Sequence, residues 1–390
     1  GGSTIYQNRE FNKIENQSSS DWLKKEIKEL KNIKNLEIKT RTSVAAFHGY
    51  NYLLARENLT DHLEKKDKQG KIRQRLLKIR AKKVILATGA LERPLIFNNN
   101  DRPGIMLSSA VKKYADFYGV VSGKKNVFFT NNDSAYESAF CLHNKGINVE
   151  AIIDIRESSN SKIVKAVEEA GIEIHWSHTI VNTSGYKRLN GISAMKLSND
   201  GLSVTGNKIN ISCDCLGVAG GWTPAVHLFT QSGGKLKFDE NDKIFLPNKY
   251  PSEQLSVGSC NGDFKLKEII NNLSINLKQF LKINETDFDN ILIENEEENS
   301  KRNIWLLPSD KPIGKTKPFV DYQNDATAKD IKLALREGFR SIEHVKRYTT
   351  TGMGTDQGKL GNMHALGIIA DTAGVKMGEL GTTTFRPPYT

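Results

Sequence analysis

The sequence predicts an α/β fold, with a dinucleotide-binding core built on parallel strands and a small, mostly helical C-terminal segment. Three observations carry this expectation. Apolar runs end in glycine turns at residues 84–90, 211–221 and 255–262. Strand and helix patterns alternate between residues 127 and 174, as βαβ units do. Beyond Thr327 the residues Ile331, Leu335, Phe339, Ile342 and Val345 keep helical spacing.

A length of 390 residues with 38% apolar content leaves room for two or three domains with real cores. No run of about 18 apolar residues is present to cross a bilayer, and no secretory leader opens the chain. With four cysteines and no disulfide-like framework, a cytoplasmic setting is expected. The net charge of +11 is spread among Asn, Ile and Glu rather than gathered with aromatics on one stripe. Neither nucleic acid nor membrane is therefore expected as a partner.

In chain order, Ser20 is placed to cap a helix to about residue 31, with Trp22, Leu23, Ile27 and Leu30 on one face. Residues 36–38 read as a strand, and residues 50–56 and 73–80 as a β-meander before the key strand. That strand, residues 84–86, is a continuous apolar run, expected to be buried on both faces. Ser108 is expected to cap the next helix, with Val111, Tyr114, Ala115 and Tyr118 as its buried stripe and Gly119 past its end. A full βαβ unit follows: strand 127–130, helix 134–145, strand 149–153. Its turn carries Asn131, Asn132 and Asp133 where phosphate-binding glycines belong, although Asp154 stands where a ribose-binding acid would. This second site reads as degenerate, with Asp133 as the helix cap. Helix 162–170 and strand 172–174 continue the alternation, and an amphipathic helix spans 266–280.

Ligands of open α/β sheets sit outside the carboxyl ends of strands. Thr88, Gly89 and Ala90, with Arg93 close behind, are accordingly candidate dinucleotide contacts. Gly258, Gly262 and Asp263 place backbone N–H groups and an acid just before a helix, which suits a pyrophosphate and a ribose or ribityl hydroxyl. Val44 and Phe264 complete this set. A second candidate is the loop of Thr349, Thr350, Thr351, Gly352 and Lys359, whose hydroxyls, glycine and cation could cradle a phosphate. No residue stands out as a catalytic base. His175-x-x-His178 is a weak metal pattern and Cys213-x-Cys215 lacks redox spacing, so no metal site is expected.

The blocks at residues 84–94 (VILATGALERP), 100–106 (NDRPGIM), 129–136 (FTNNDSAY), 220–224 (GGWTP), 319–327 (FVDYQNDAT) and 343–359 (EHVKRYTTTGMGTDQGK) occur in this order. Together they resemble the alpha subunits of heterotetrameric sarcosine oxidases. The more general blocks are shared with the two-dinucleotide-binding flavoproteins, a glutathione-reductase-like Rossmann class. The resemblance implies oxidative demethylation of sarcosine to glycine, with hydrogen peroxide and a one-carbon unit as formaldehyde or methylene-tetrahydrofolate. It also implies NAD on this chain, FAD and FMN mainly on or shared with a beta subunit, and gamma and delta subunits as further partners. An alpha subunit of a related amine or opine oxidase, or a non-catalytic NAD-holding scaffold, is the alternative.

Under the resemblance, Gly1, Gly2 and Ser3 are the remnant of the segment after the first ribose-binding acid, whose glycine-rich strand is expected upstream. The expected domains are 1–120 with 245–280 as the first FAD/NAD(P)-binding unit, truncated at its start, and 121–244 as the degenerate second unit. Residues 281–318 are expected to be a linker, 319–383 a small helical domain, and 384–390 the start of an aminomethyltransferase-like domain that would use tetrahydrofolate. The contact of residues 349–359 with a flavin-bearing partner is expected near the FMN phosphate.

Overall fold

The structure, a computed structural model, describes residues 2, 13–286, 288–289, 291–294 and 301–383. The first helix, α1 (Ser19–Leu30), is capped by Ser18, whose Oγ accepts from the Asp21 amide at 3.2 Å. The cap thus lies two residues before Ser20. Its apolar stripe stays half in solvent, because nothing described packs on Ile27 and Leu30. Residues 36–38 are not a strand: no partner strand is offered to them, and Leu36 and Ile38 are exposed.

Three antiparallel strands form the expected meander: β1 (Thr42–His48), β2 (Tyr52–Asn58) and β3 (Gln74–Arg80). Next come β4 (Val84–Leu86) and β5 (Ala90–Glu92). Burial of β4 on both faces is not what the structure shows: Val84 and Leu86 are buried, but Ile85 remains 44% exposed. Alternation along a strand sends its side chain to the opposite face, which no described element covers.

A five-stranded parallel sheet makes the second unit. Its strands are β6 (Ile105–Leu107), β7 (Asn126–Thr130), β8 (Val149–Asp154), β9 (Ile174–Trp176) and a later one at Cys215–Ala219. The helices α2 (Ser108–Phe117), α3 (Ser134–Asn144) and α4 (Lys162–Glu169) cover one face. There Phe128, Ile152, Tyr136, Leu142 and Val164 form a core. On α2 only Val111 and Ala115 of the expected stripe are buried, while Tyr114 and Tyr118 face solvent. Leu107, not Ser108, holds the cap position; Ser108 is already helical and fully buried.

The other face carries Val127, Phe129 and Ile153 against β10 (His178–Ser184), β11 (Gly191–Leu197) and β12 (Val204–Ile211), an antiparallel sheet. The sheet strand at Cys215–Ala219 is β13, and β14 (Trp222–Pro224) pairs antiparallel with β5. The chain then returns to the first unit through α5 (His227–Gln231), the hairpin β15 (Lys235–Asp239) and β16 (Ile244–Lys249), and β17 (Gln254–Ser256). There Phe47, Leu53, Val84, Leu86 and Phe229 pack together. β17 pairs parallel with β4 and leads to α6 (Leu266–Leu281).

The C-terminal helices are α7 (Ala328–Arg336), α8 (Ile342–Thr349), α9 (Asn362–Ala373) and α10 (Met377–Leu380). Thr327 starts α7 with a full capping box to Asp330. The helical spacing from Ile331 to Val345 spans two helices rather than one, broken at Gly338 where φ is +96°. Residues expected to be linker also do structural work: Trp305 and Leu307 are buried, and the Leu307 amide donates to the Ile96 carbonyl at 2.9 Å.

Candidate dinucleotide site

β4 and β17 run side by side and end together, so their C-terminal turns share one edge of the first unit. The Val257 amide donates to the Leu86 carbonyl at 2.9 Å and extends the ladder by one step. Both strands then turn at a glycine in the left-handed region, Gly89 at φ +73° and Gly258 at φ +70°. A Cβ at Gly89 would meet nothing within 4 Å. Backbone conformation, not crowding, therefore requires the glycine, and the space beside it stays open. Thr88 donates its hydroxyl to the Ala225 carbonyl at 2.7 Å, while the Ala225 amide donates to the Gly89 carbonyl at 2.9 Å. Beneath, Cys260 is buried and its thiol donates to the Leu86 and Val257 carbonyls.

Asp263 closes the turn. Its Oδ1 accepts from Asn272 on α6 at 2.7 Å, whereas its Oδ2 is buried without a partner. Burial pushes its pKa up. The unmet acceptor capacity of Oδ2 suits a hydroxyl donor such as a ribose, although Gly262 beside it packs closely on Leu246. Phe264, next in sequence, has the Lys301 ammonium 5.1 Å from its ring centre. Thr88, Gly89, Ala90, Gly258, Gly262, Asp263 and Phe264 thus belong to the two converging strand ends and their turns.

Other expected contacts lie elsewhere. Arg93 is only 3% exposed, with its guanidinium 5.3 Å from the Trp305 ring and donating to the Lys243 carbonyl at 3.3 Å. Burial lowers its pKa to about 10. Its guanidinium is enclosed against Trp305 rather than presented at the strand-end turns. Val44 stands on β1 opposite Ala55, 39% exposed. Gly2 is exposed at φ +56°, and Gly1 and Ser3 lie outside the described residues, as do 384–390.

The loop after α8 is committed inward. Thr349 and Thr351 are buried and hydrogen-bond each other at 2.7 Å, and Thr350 donates to the Thr349 carbonyl. The Gly352 amide donates to Asp321 at 2.6 Å. A Cβ on Gly352 or Gly358 would lie 2.3 or 2.1 Å from the Asn362 side-chain oxygen, so these glycines serve close packing. Lys359 differs. It lines a small cleft with Thr223, His227, Phe245, Met363 and Leu366. Burial, then the Lys359 charge, holds His227 down at about 4, so the imidazole is neutral near pH 7. The Thr223 hydroxyl is buried without a partner. The motif GGWTP marked Thr223, but nothing local in the sequence linked it to His227 and Lys359.

In the second unit Asp154 is not open to a ribose. Arg156 pairs with it and with Asp133, both at 2.7 Å, and the Cys213 and Cys215 thiols are buried and pushed up to about 12. Among the described residues no group of three or more His, Cys, Asp or Glu side chains converges as a metal site.

Residues 315–390 match the family described as the sarcosine oxidase A3 domain. The chain is 35% identical over 389 residues to the sarcosine oxidase alpha subunit of Corynebacterium sp. (strain P-1), covering 97% of this chain and 39% of that protein. The chain belongs to the sarcosine oxidase alpha-subunit family. It spans about two fifths of the length of this relative. An opine oxidase subunit from Rhizobium meliloti (strain 1021) is 22% identical over 342 residues, covering 79% of this chain and 74% of that one. The L-proline dehydrogenase structure from P. horikoshii superposes with a TM-score of 0.69 at 21% identity, over 100% of this chain and 70% of that one. This likeness shows that the two chains share an α/β fold. Among the described residues no helix is long and apolar enough to cross a membrane.

Proposed function

We propose that the chain is the NAD-holding part of the alpha subunit of a sarcosine oxidase complex. The complex oxidises sarcosine to glycine, reduces oxygen to hydrogen peroxide, and releases the methyl carbon as formaldehyde or methylene-tetrahydrofolate. The observation that carries the assignment of NAD to this chain is the orphaned Asp263 oxygen, just past the glycine turn of one of two paired parallel strands. Flavins bound in the complex, FAD and FMN, would take the electron pair from the amine. The residues here hold and orient. Asp263 would accept a ribose hydroxyl, and the turns at Gly89 and Gly258 would let the dinucleotide backbone lie close. The cleft at Lys359 would face the flavin-bearing beta subunit, its cation meeting a phosphate.

The assembled complex should release peroxide and glycine when given sarcosine. Turnover of an opine or another N-methyl amine in its place would move the assignment to the related amine oxidases. Asp263→Asn should lower the NAD retained through purification roughly tenfold, the scale of one charge-assisted hydrogen bond. Unchanged NAD content would remove Asp263 from the site. If NAD is bound but stays oxidised throughout turnover, the chain is a scaffold rather than a redox participant.

A further inference from the structure

A dinucleotide bound to a strand–turn–helix–strand unit needs three things. It needs a turn it can approach closely, free amides at the helix N-terminus for its pyrophosphate, and a free acid at the end of the second strand for a ribose. The unit made by β7, α3 and β8 has the backbone for all three, and its own side chains fill each one.

The turn residues Asn131, Asn132 and Asp133 are 2%, 0% and 7% exposed. The helix N-terminus is satisfied from within: Asn132 Oδ1 accepts from the Ser134 amide at 2.9 Å and its hydroxyl at 2.6 Å. Asp133, the cap expected from the sequence, turns its carboxylate instead to Arg156 at 2.7 Å and Ser159 at 3.1 Å. At the end of β8 both oxygens of Asp154 are taken. Oδ1 accepts from the Arg156 amide at 2.9 Å, and Oδ2 from the Tyr136 hydroxyl at 2.8 Å and the guanidinium at 2.7 Å. The guanidinium carbon lies 5.8 and 5.9 Å from the Tyr136 and Trp176 ring centres. From outside, Arg302 donates to the Ile155 carbonyl at 2.9 Å, and its own carbonyl accepts from Asn131 at 3.0 Å.

We propose that Arg156 is a built-in occupant of this second nucleotide position, and that the unit therefore admits neither NAD(H) nor NADP(H). An arginine just beyond the strand-end acid could in principle greet the 2′-phosphate of NADP(H). Here the side chain is 3% exposed and bridges two buried carboxylates, so reaching a ligand would strand both. Burial alone would lower the pKa of Arg156, but the two carboxylates outweigh it and hold the group above its ordinary range. It stays charged, and the two carboxylates hold it in place while they are ionised.

The test is photolabelling of the assembled complex with azido-adenine forms of NAD+ and NADP+, read by peptide mapping. Residues 131–136, 154–156 and 176 should carry no label above background. Label there that excess NADPH competes away would overturn the proposal. The closed site does not depend on NAD binding at Asp263. Label at 88–90 or 258–263 together with none here supports both readings. No label anywhere defeats the Asp263 site and leaves the closed second unit supported. Arg156→Ala should lower the melting temperature by several degrees by leaving Asp133 and Asp154 unpaired. A variant melting like the native chain would show that Arg156 is no fixed occupant.

Discussion

Glu92 shows how far a residue's role can lie from its sequence neighbours. It ends β5, 5% exposed, and its Oε2 accepts from the Ser109 amide at 2.9 Å and from the Ser109 hydroxyl, while Oε1 has no partner. The carboxyl thus caps α2 from an adjacent strand, at the positive end of the helix dipole. Burial nevertheless pushes its pKa up from 4.5 to about 7, against the two hydrogen bonds that pull it down. As pH rises from about 4.5, the unfolded chain gives up this proton first, so stability present below 4.5 is lost progressively until about pH 7. The gap corresponds to roughly 3 kcal/mol. Glu92→Gln should remove this slope. Urea unfolding at pH 5 and pH 8 should show a smaller loss in the variant than in the native chain; equal losses would show that Glu92 does not titrate in this window. No spacing rule could have exposed the contact, since β5 and α2 meet only after the loop between them folds back.

At the scale of elements, what was legible was what is local. The capping box at Thr327 and Asp330, the glycine ends of β4 and β17, and the β7–α3–β8 unit each show in a few adjacent residues. Burial was not legible where it depends on a distant partner. In the stripes of α1 and α2, and at Ile85, apolar positions are left more than a third exposed. The loop at residues 349–359 departs from its sequence pattern for a related reason: its threonine hydroxyls bond one another and the Val345 and Thr349 carbonyls, while Asp321 and Asn362 crowd its glycines. Lys359, which lines the cleft, is the member proposed to meet a phosphate. Lys359→Ala should accordingly cut the FMN retained by the purified complex severalfold, while Thr351→Val should lower stability by about 1 kcal/mol with little effect on flavin. Flavin content unchanged in the lysine variant would sink the cleft as a phosphate contact.

At the scale of the whole molecule, residues that read as a linker tie the parts together. Trp305 is 7% exposed and belongs to the same core as Ile96, Phe245, Ile331 and Leu366, residues drawn from the first unit and the C-terminal helices. Gly367 on α9 lies so close that a Cβ there would sit 2.2 Å from the indole. The His364 ring meets the indole edge-on at 5.7 Å, and the Arg93 guanidinium lies 5.3 Å from it. Burial and the Arg93 charge hold His364 down at about 3, so this contact stays neutral on the histidine side. The strand order of the central sheet and this junction share one property: both join residues far apart in the chain, and residues 281–318 read only as a linker. Trp305→Ala should cost about 3–5 kcal/mol, the scale of losing a buried aromatic. Because the indole bridges two bodies, the loss should also uncouple them. Calorimetry of the variant should then show α7–α10 melting ahead of the first unit, whereas the native chain should unfold with the two together. One transition at the native temperature in the variant would mean that the helices are held by other contacts, and that residues 301–307 are part of the passive linker expected over 281–318.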